Sequence, residues 1–229
     1  MAISAHDIMI QGFDRPFKLL DFEMELRPNV HGYAKVLLRM NEKPDLHRQL
    51  PYGTTLSIGY STDSGAMNIL FCGVVDRLMM ERTNQYYELS IELVTGSIIL
   101  DRYSKHLAYQ DDSMSFSALV NRVLAETKGA SSIIATKGDR QTGEMLIQHN
   151  ETDWAFIRRI ASHLNEAVFP DWISGRPAQY FGTDIYTGTA DITIHDYATE
   201  VDRQFRRPED GFADQRLFSP LVSANIQRS

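Results

Sequence analysis

The chain has 229 residues, of which 43% are hydrophobic and 23% are charged, a composition typical of a globular protein with one large domain or two small ones. Its longest apolar stretch, residues 69–75, is far shorter than the roughly 20 residues that a membrane-spanning helix needs. The N-terminus lacks the basic start and apolar core of a signal peptide, so we expect none. The only cysteine, Cys72, excludes an internal disulfide and disfavours cysteine-ligated zinc, which predicts folding in a reducing cytoplasm.

The formal net charge is −7, from 23 lysines and arginines against 30 aspartates and glutamates. Phosphate binding needs clustered cations, so we predict no sequence-specific binding of nucleic acid. A negative surface keeps a protein soluble, and it also lets a polyanion slide past without sticking. The sequence leaves both interpretations open.

The first hundred residues predict β-structure. Apolar and polar residues alternate within short segments separated by turn residues, which is typical of strands with one buried face. The predicted strands span residues 20–27, 33–40, 54–60, 68–81 and 86–93. Gly73, in the middle of the longest strand, predicts a bulge or a sharp bend. Long bent strands favour a small antiparallel barrel over a sandwich.

The periodicity becomes helical shortly after residue 110. Apolar residues recur at i, i+3, i+4, i+7 and i+8 from Phe116 to Leu124, which predicts an amphipathic helix. Ser113 or Ser115 can serve as its N-cap. Gly129 is expected to follow its last turn.

A second helix is predicted around residue 155. Asn150 is the expected N-cap, and Asn165 is expected to end the helix. Ile157 and Ile160 belong to its buried stripe. Short strands are predicted on either side of this helix, at residues 132–135, 144–148, 168–171 and 179–182.

These segments together predict a mainly β protein with two short helices, of the α+β class. Residues 1–104 are expected to form a first β-barrel, and residues 105–182 an α+β middle region that contains both amphipathic helices. Residues 183–229 include an alternating pattern at 190–195. They are expected to form an abbreviated second barrel-like unit or a connecting arm.

No motif of a catalytic, metal-binding or cofactor-binding protein stands out. The histidines include no pair at i, i+4 on a predicted helix, and the glycines of residues 137–143 lack the Lys-Ser/Thr of a phosphate loop. The best carboxylate pairs are Asp111 with Asp112 and Glu151 with Asp153, and both lie where acids stabilise helix N-termini. We therefore predict no catalytic residue, metal or cofactor, and a scaffold or binding module rather than an enzyme.

A more specific combination of residues surrounds the predicted start of the second helix. Residues 148–161 resemble the most recognisable segment of the phage late-control-D and VgrG hub family of contractile injection systems. That segment has Gln, an aromatic, any residue, Glu, Thr or Ser, Asp, an apolar residue, any residue, Phe, an aliphatic, any residue, Arg and an aliphatic. His149 stands where the aromatic is usual. The residues that carry the match and are expected to serve assembly are Gln148, Glu151, Thr152, Asp153, Trp154, Phe156, Ile157 and Arg159.

The resemblance implies a non-enzymatic baseplate hub. Such a hub is a homotrimer whose paired barrels form a ring with a pore, joining a sixfold tail tube to a threefold spike. The implied partners are the tail tube protein and the spike protein, with tape-measure and baseplate wedge proteins as further partners. The implied hub has no cofactor and no membrane insertion. It would assemble in the bacterial cytoplasm and become part of a virion or injection particle.

Two other functions stay open at this point. A tail-associated peptidoglycan hydrolase would need a cleft in which Glu151 or Asp153 has a raised pKa. A carbohydrate- or receptor-binding β-domain is suggested by the aromatic residues. Trp172 is expected to be the exposed one, and Trp154 is expected to lie in the core.

Overall fold

The computed structural model describes residues 8–51, 53–61, 65–83, 85–136 and 139–182, together with the backbone of two further short strands at 198–200 and 222–225. These residues form two regions with separate hydrophobic cores. The first is a curled antiparallel sheet, and the second combines helices with short strands. Within the described part of the chain, no helix has the length and apolar character needed to cross a membrane.

The elements follow one another closely along the chain. The strands are β1 (Ile8–Gln11), β2 (Lys18–Leu26), β3 (Tyr33–Met40), β4 (Thr55–Ser61), β5 (Met67–Thr83), β6 (Tyr86–Val94), β7 (Ser104–Tyr109), β8 (Ser131–Ile134), β9 (Leu146–Thr152), β10 (Val168–Pro170), β11 (Ala178–Phe181), β12 (Ala198–Glu200) and β13 (Val222–Asn225). The helices are α1 (Leu46–Gln49), α2 (Phe116–Leu124), α3 (Asp153–His163) and a 3-10 helix (Gly96–Asp101).

The curled sheet forms a half-barrel of eight strands in the order β1-β4-β5-β6-β3-β2-β13-β12. All of its pairings are antiparallel, and β3 pairs with β6 along its whole length. Alternation places every second side chain on the inner face, where Val36, Leu38 and Ile91 are fully buried. Burial of these branched side chains is the main source of stability of this region.

Strand β5 changes its pairing partner halfway along its length. Up to Val74 it pairs with β4, and from Val74 onwards it pairs with β6. The register of β5 shifts at Leu70, opposite Ile58 and Gly59 of β4, and at Asp76, between Val75 and Arg77, but not at Gly73. Gly73 has a different role, because a Cβ there would lie 2.5 Å from the Val94 carbonyl oxygen. Glycine therefore permits close approach of β6 at this point of β5.

The second region packs α2 and α3 between a two-stranded ribbon, β7–β9, and a three-stranded sheet in the order β10-β11-β8. Ser115 is the N-cap of α2, and its hydroxyl accepts a hydrogen bond from the Ala118 N–H at 3.2 Å. The predicted end of this helix at Gly129 is wrong, because α2 ends at Leu124 and its C-cap is Ala125.

Backbone hydrogen bonds join the two regions. The turn between β2 and β3 holds Asn29 at a positive φ of 62°, and its N–H donates to the Val168 carbonyl at 2.6 Å. The Asn29 side-chain oxygen accepts from the Val168 N–H at 2.9 Å. On β5, the Cys72 N–H donates to the Trp172 carbonyl at 2.6 Å. The second region is thereby fixed against one side of the curled sheet.

The predicted α+β fold class, mainly β with short helices, is confirmed. The first barrel appears as a curled sheet, and β12 and β13 extend that sheet beside β2. The predicted strand at 190–195 lies outside the described residues. The boundaries at 104/105 and 182/183 stay predictions.

Candidate functional site

The residues of the predicted assembly motif lie at a corner where β9 runs directly into α3. Thr152 is the N-cap of α3, with φ −74° and ψ 163°, and its hydroxyl accepts from the Ala155 N–H at 3.1 Å. The prediction that Asn150 caps this helix is wrong. Asn150 has a positive φ of 50° and still belongs to β9. The strand therefore continues for two residues beyond the expected cap.

Gln148 links the strand to the helix from within the core. Its side chain is fully buried, and its amide nitrogen donates to the Asp153 Oδ1 and to the Glu151 carbonyl, both at 3.0 Å. The Tyr109 hydroxyl donates to the Gln148 Oε1 at 3.4 Å. A buried amide that is satisfied on both sides fixes the angle between β9 and α3.

Asp153, at the first position of α3, is buried and ion-paired. The Lys105 Nζ lies 2.7 Å from its Oδ2 and 2.8 Å from the Glu126 Oε2. Burial alone would lower the pKa of Lys105, but the hydrogen bonds and charges of Asp153 and Glu126 outweigh it and raise that pKa. The Lys105 ammonium is thus held in its charged form against the helix N-terminus.

Glu151 and Arg159 form a second ion pair on the outer side of the corner. The Arg159 Nη2 lies 2.9 Å from the Glu151 Oε2, and its Nε lies 3.2 Å from the Oε1. The same guanidinium donates to the Ile147 carbonyl at 2.7 Å and stacks 4.9 Å above the Phe156 ring centre. This two-pronged geometry is the strong form of an arginine–carboxylate pair.

The apolar residues of the motif point inward. Trp154, Phe156 and Ile157 are almost completely buried. The Phe156 ring stacks on Tyr109 at a centroid distance of 5.4 Å. The expectation that Trp154 lies in the core is confirmed. Trp172 is the more exposed of the two tryptophans, as expected, but it is half-buried against the core of the curled sheet and does not project freely into solvent.

A histidine connects the corner to the curled sheet. The His31 ring lies 4.5 Å from the Trp154 ring, its Nδ1 is 2.8 Å from the Ser97 Oγ, and its Nε2 is 3.3 Å from the Asp101 Oδ2. The other Asp101 oxygen accepts a hydrogen bond from the Thr152 hydroxyl. Burial lowers the pKa of His31 and outweighs the opposing effect of Asp101, and the positive charge of Arg158 lowers it further.

The polar side chains around the corner are of the types found in reaction centres, but they are not accessible to a substrate. Hydrogen bonds link Ser97 through His31 to Asp101, which is the order of groups in a nucleophilic triad. Ser97 is fully buried, however, and its hydroxyl also lies 2.8 Å from the Thr95 hydroxyl. Both motif carboxylates face cations. Among the residues that the structure describes, no three His, Cys, Asp or Glu side chains are grouped so as to hold a metal. The arrangement suits a rigid joint.

The structure brings all the predicted assembly residues into one cluster. It also adds Lys105, Tyr109, His31 and Asp101, which sequence reasoning missed. The separation along the chain explains this, since Lys105 and Asp153 are 48 positions apart and no local pattern links them. The one sequence feature that points to Lys105 is its position as the first residue of the predicted middle region, 105–182.

Comparison with known proteins agrees with the motif. The model of the family described as phage tail baseplate hub (GPD) matches residues 33–165, which is more than half of the chain. The matched range includes all of α3. A search of curated protein sequences found no match.

Three solved structures with the same fold come from phage or secretion machinery. The first is the E. coli c3393 protein, a component of the type VI secretion system described as similar to the T4 bacteriophage tail proteins gp27 and gp5. It has 16% identity and a TM-score of 0.57 over 77% of this chain and 49% of that one. A tail protein of Neisseria meningitidis MC58 has 12% identity and a TM-score of 0.59 over 86% of this chain and 59% of that one.

The third structure is the 43 kDa tail protein of prophage MuSo2 from Shewanella oneidensis, with 11% identity and a TM-score of 0.62 over 95% of this chain and 68% of that one. At these identities the likenesses concern the fold. The chain spans about half of the E. coli protein and 59% of the Neisseria protein. Because the family model matches more than half of the chain, including β3 to β6 and all of α3, the chain belongs to the phage tail baseplate hub family.

Proposed function

We propose that the protein is a non-enzymatic hub of a phage-tail-like contractile injection system, in which a ring of copies joins the tail tube to the central spike. The observation that carries the proposal is the family match over residues 33–165. We take the ring to be a homotrimer, as the resemblance of residues 148–161 to the hub family implies. Its partners would then be the tail tube and spike proteins, with tape-measure and baseplate wedge proteins beside them.

The corner supports a structural role because its carboxylates form ion pairs with lysine and arginine side chains of the same chain. Asp153 faces Lys105 at 2.7 Å, and Glu151 faces Arg159 at 2.9 Å. A hydrolase would need one of these carboxylates to be protonated and free to reach a substrate. Carboxylates that are held as ion pairs instead fix the orientation of α3. We propose that the motif residues serve assembly by keeping this joint rigid.

The surface supports association with other proteins. Strand β4 pairs with β5 only as far as Val74. In the described part of the chain, residues 76–83 therefore have one strand edge without a partner. On this segment, Met79 is 47% exposed and Met80 is 36% exposed. A strand edge with exposed apolar side chains is a surface that other chains can extend or cover.

The location follows from the assembly. We propose that the chain folds in the bacterial cytoplasm and is then incorporated into the baseplate of a virion or injection particle. The family membership and the tail proteins among the similar structures support this placement.

Light scattering during size-exclusion chromatography tests the ring directly. We expect a trimer, either for the chain alone at micromolar concentration or after addition of the spike protein. Pull-downs with the tail tube and spike proteins of the same particle should recover both. A monomer that binds neither protein would contradict the proposal. Cleavage of peptidoglycan by the wild type that is lost in Glu151→Gln would contradict its non-enzymatic part.

A further inference from the structure

Two histidines face each other on the outer side of the β7–β9 ribbon. His106 on β7 and His149 on β9 are direct cross-strand partners, and both are exposed. Their rings are arranged edge to face with centroids 4.8 Å apart. The two Nδ1 atoms lie 3.3 Å apart. Neither histidine contributes to the ion pairs of the corner.

The spacing of the two nitrogens matches that of two ligands on one metal ion. Zinc binds histidine nitrogens at about 2.0–2.1 Å, so two nitrogens at a tetrahedral angle lie about 3.3–3.4 Å apart. Antiparallel pairing fixes the two Cα positions, which reduces the conformational freedom that metal binding must remove. The preorganisation therefore comes from the ribbon itself.

The present contacts of the two rings are easily exchanged for a metal ion. One Nδ1 can donate its proton to the other, and the Asn150 N–H also approaches the His106 Nδ1 at 3.3 Å. Both contacts are at the long end of the range for hydrogen bonds. For neutral rings, moving the proton of the donating ring from Nδ1 to Nε2 ends the contact between the two Nδ1 atoms without a net change in protons, and the metal then displaces the Asn150 N–H from the His106 Nδ1.

We propose that His106 and His149 form a binding site for a divalent transition metal of the class that prefers imidazole, such as Zn²⁺ or Ni²⁺. The two Nδ1 atoms are its protein ligands, and the remaining coordination positions face solvent. Water fills these positions in the isolated chain. The site rests on ring geometry alone and is independent of the proposed hub function.

A bound metal would act on the corner through the strand. His149 directly follows Gln148, and His106 directly follows Lys105, so the metal would join β7 to β9 next to the buried ion pair. Anything that binds the folded state alone stabilises it. We therefore expect metal to raise the melting temperature of the protein.

Calorimetric titration of the full-length, untagged, metal-free chain with Zn²⁺ and with Ni²⁺ tests the site. The wild type should bind metal, and His106→Asn and His149→Asn should each weaken binding by at least tenfold. His163→Asn is the matched control, because His163 is exposed at the end of α3, away from the ribbon. It should bind as tightly as the wild type.

Thermal unfolding with EDTA and with metal gives a second measurement. In EDTA the three variants should melt like the wild type, which shows that they fold. With Zn²⁺ only the wild type and His163→Asn should gain stability. Absence of binding by the wild type would overturn the proposal. So would wild-type affinity in the double variant His106→Asn/His149→Asn, or an equal loss of affinity in His163→Asn.

Discussion

The curled sheet and the corner both bury large apolar side chains, but among the side chains that the structure describes in these two regions, only those of the corner include buried ion-paired and amide groups. On the inner face of the sheet, residues such as Leu38 and Ile91 are fully covered by other apolar groups. In the corner, Gln148 and Asp153 are equally buried, and each is satisfied by hydrogen bonds. The two regions are therefore specified in different ways.

The apolar core of the sheet and the partly polar core of the corner determine different features of the fold. In the sheet, a register slip by one residue would expose the whole inner face, so alternation fixes which face of each strand is buried. A helix on a strand can rotate or slide with less loss of apolar burial. In the corner, directional bonds from Gln148 and Lys105 to Asp153 restrict α3 to one orientation.

The two regions are nevertheless joined closely enough to unfold together. Asn29 and Val168 exchange backbone and side-chain hydrogen bonds, and His31 packs on Trp154. We expect a single cooperative transition in urea, as is usual for small domains with a continuous interface. The effects below test how far this common stability depends on each region.

The largest effect is expected from truncating a fully buried aromatic residue in each region. Phe156→Ala in the corner and Phe71→Ala in the sheet should each lower the free energy of unfolding by about 3–5 kcal/mol. Both side chains are fully buried, so each variant leaves a cavity as well as losing apolar contacts. Urea denaturation followed by fluorescence measures the loss.

The two tryptophans make this measurement specific for each region. Trp154 belongs to the corner core, and Trp172 packs against the sheet core. In single-tryptophan backgrounds, Trp154→Phe and Trp172→Phe, adding Phe156→Ala should shift the midpoint reported by the remaining tryptophan by the same amount. If Phe156→Ala shifted only the Trp154 signal, the regions would unfold separately and the joint would be weaker than its hydrogen bonds indicate.

The next effect concerns the buried ion pair. Lys105→Met should lower the free energy of unfolding by about 2–3 kcal/mol, because it leaves the Asp153 charge buried without its cation. The value is at the lower end for such changes, since Lys105 is 24% exposed and Gln148 still donates to Asp153. Lys128→Met, at an exposed lysine after α2, is the matched control.

A double-mutant cycle separates the ion pair from simple packing. Lys105→Met combined with Asp153→Asn should be less destabilised than the sum of the single variants, because the uncompensated charge is gone. Strict additivity would mean that the ion pair adds nothing to the corner.

The contrast between the regions also explains what the sequence could predict. Alternation predicts the five long strands of the sheet to within two residues of their observed ends, and it predicts Tyr33–Met40 without error. The inner face is a property of each strand by itself, so it is visible locally. Whether the sheet closes depends on which edges meet, and alternation carries no information on that.

At the corner the sequence predicted the cluster but not its mechanism. Asn150 and Thr152 are both good capping residues, and local preference favoured the earlier one. The structure selects Thr152 because β9 stays paired with β7 up to Thr152, opposite Ser104. The role of Lys105 was equally hidden, since it depends on a contact between distant segments. Tertiary pairing thus decided both points.

A smaller effect should distinguish the N-caps of the two long helices. Thr152→Ala should lower the free energy of unfolding by about 1.5 kcal/mol, and Ser115→Ala by about 0.5 kcal/mol. Thr152 also donates to Asp101, whereas the start of α2 has a second acceptor in Asp139, 3.1 Å from the Ser117 N–H. Urea denaturation of both variants checks the order. Equal losses would mean that Asp139 does not support α2.

The smallest effect is a dependence on pH that arises where the two regions meet. Burial lowers the pKa of His31 below its value of 6.5 in an unfolded chain. The unfolded state therefore takes up a proton at a higher pH than the folded state, so the contribution of His31 to stability is fully present well above pH 6.5 and is lost as the pH falls through that value. We expect the free energy of unfolding to fall between pH 7.5 and pH 5.5.

The His31→Gln variant isolates this contribution from that of other titrating groups. Glutamine cannot gain the proton, so the decrease on acidification should be smaller in His31→Gln than in the wild type. His163→Gln, which alters an exposed histidine, should keep the wild-type slope. Asp101 and Arg158 act on His31 in opposite directions, so Arg158→Gln should make the wild-type decrease shallower. An equal slope in the wild type and His31→Gln would show that His31 takes up its proton equally well in the folded and unfolded states, so that the junction between sheet and corner tolerates a charged imidazole.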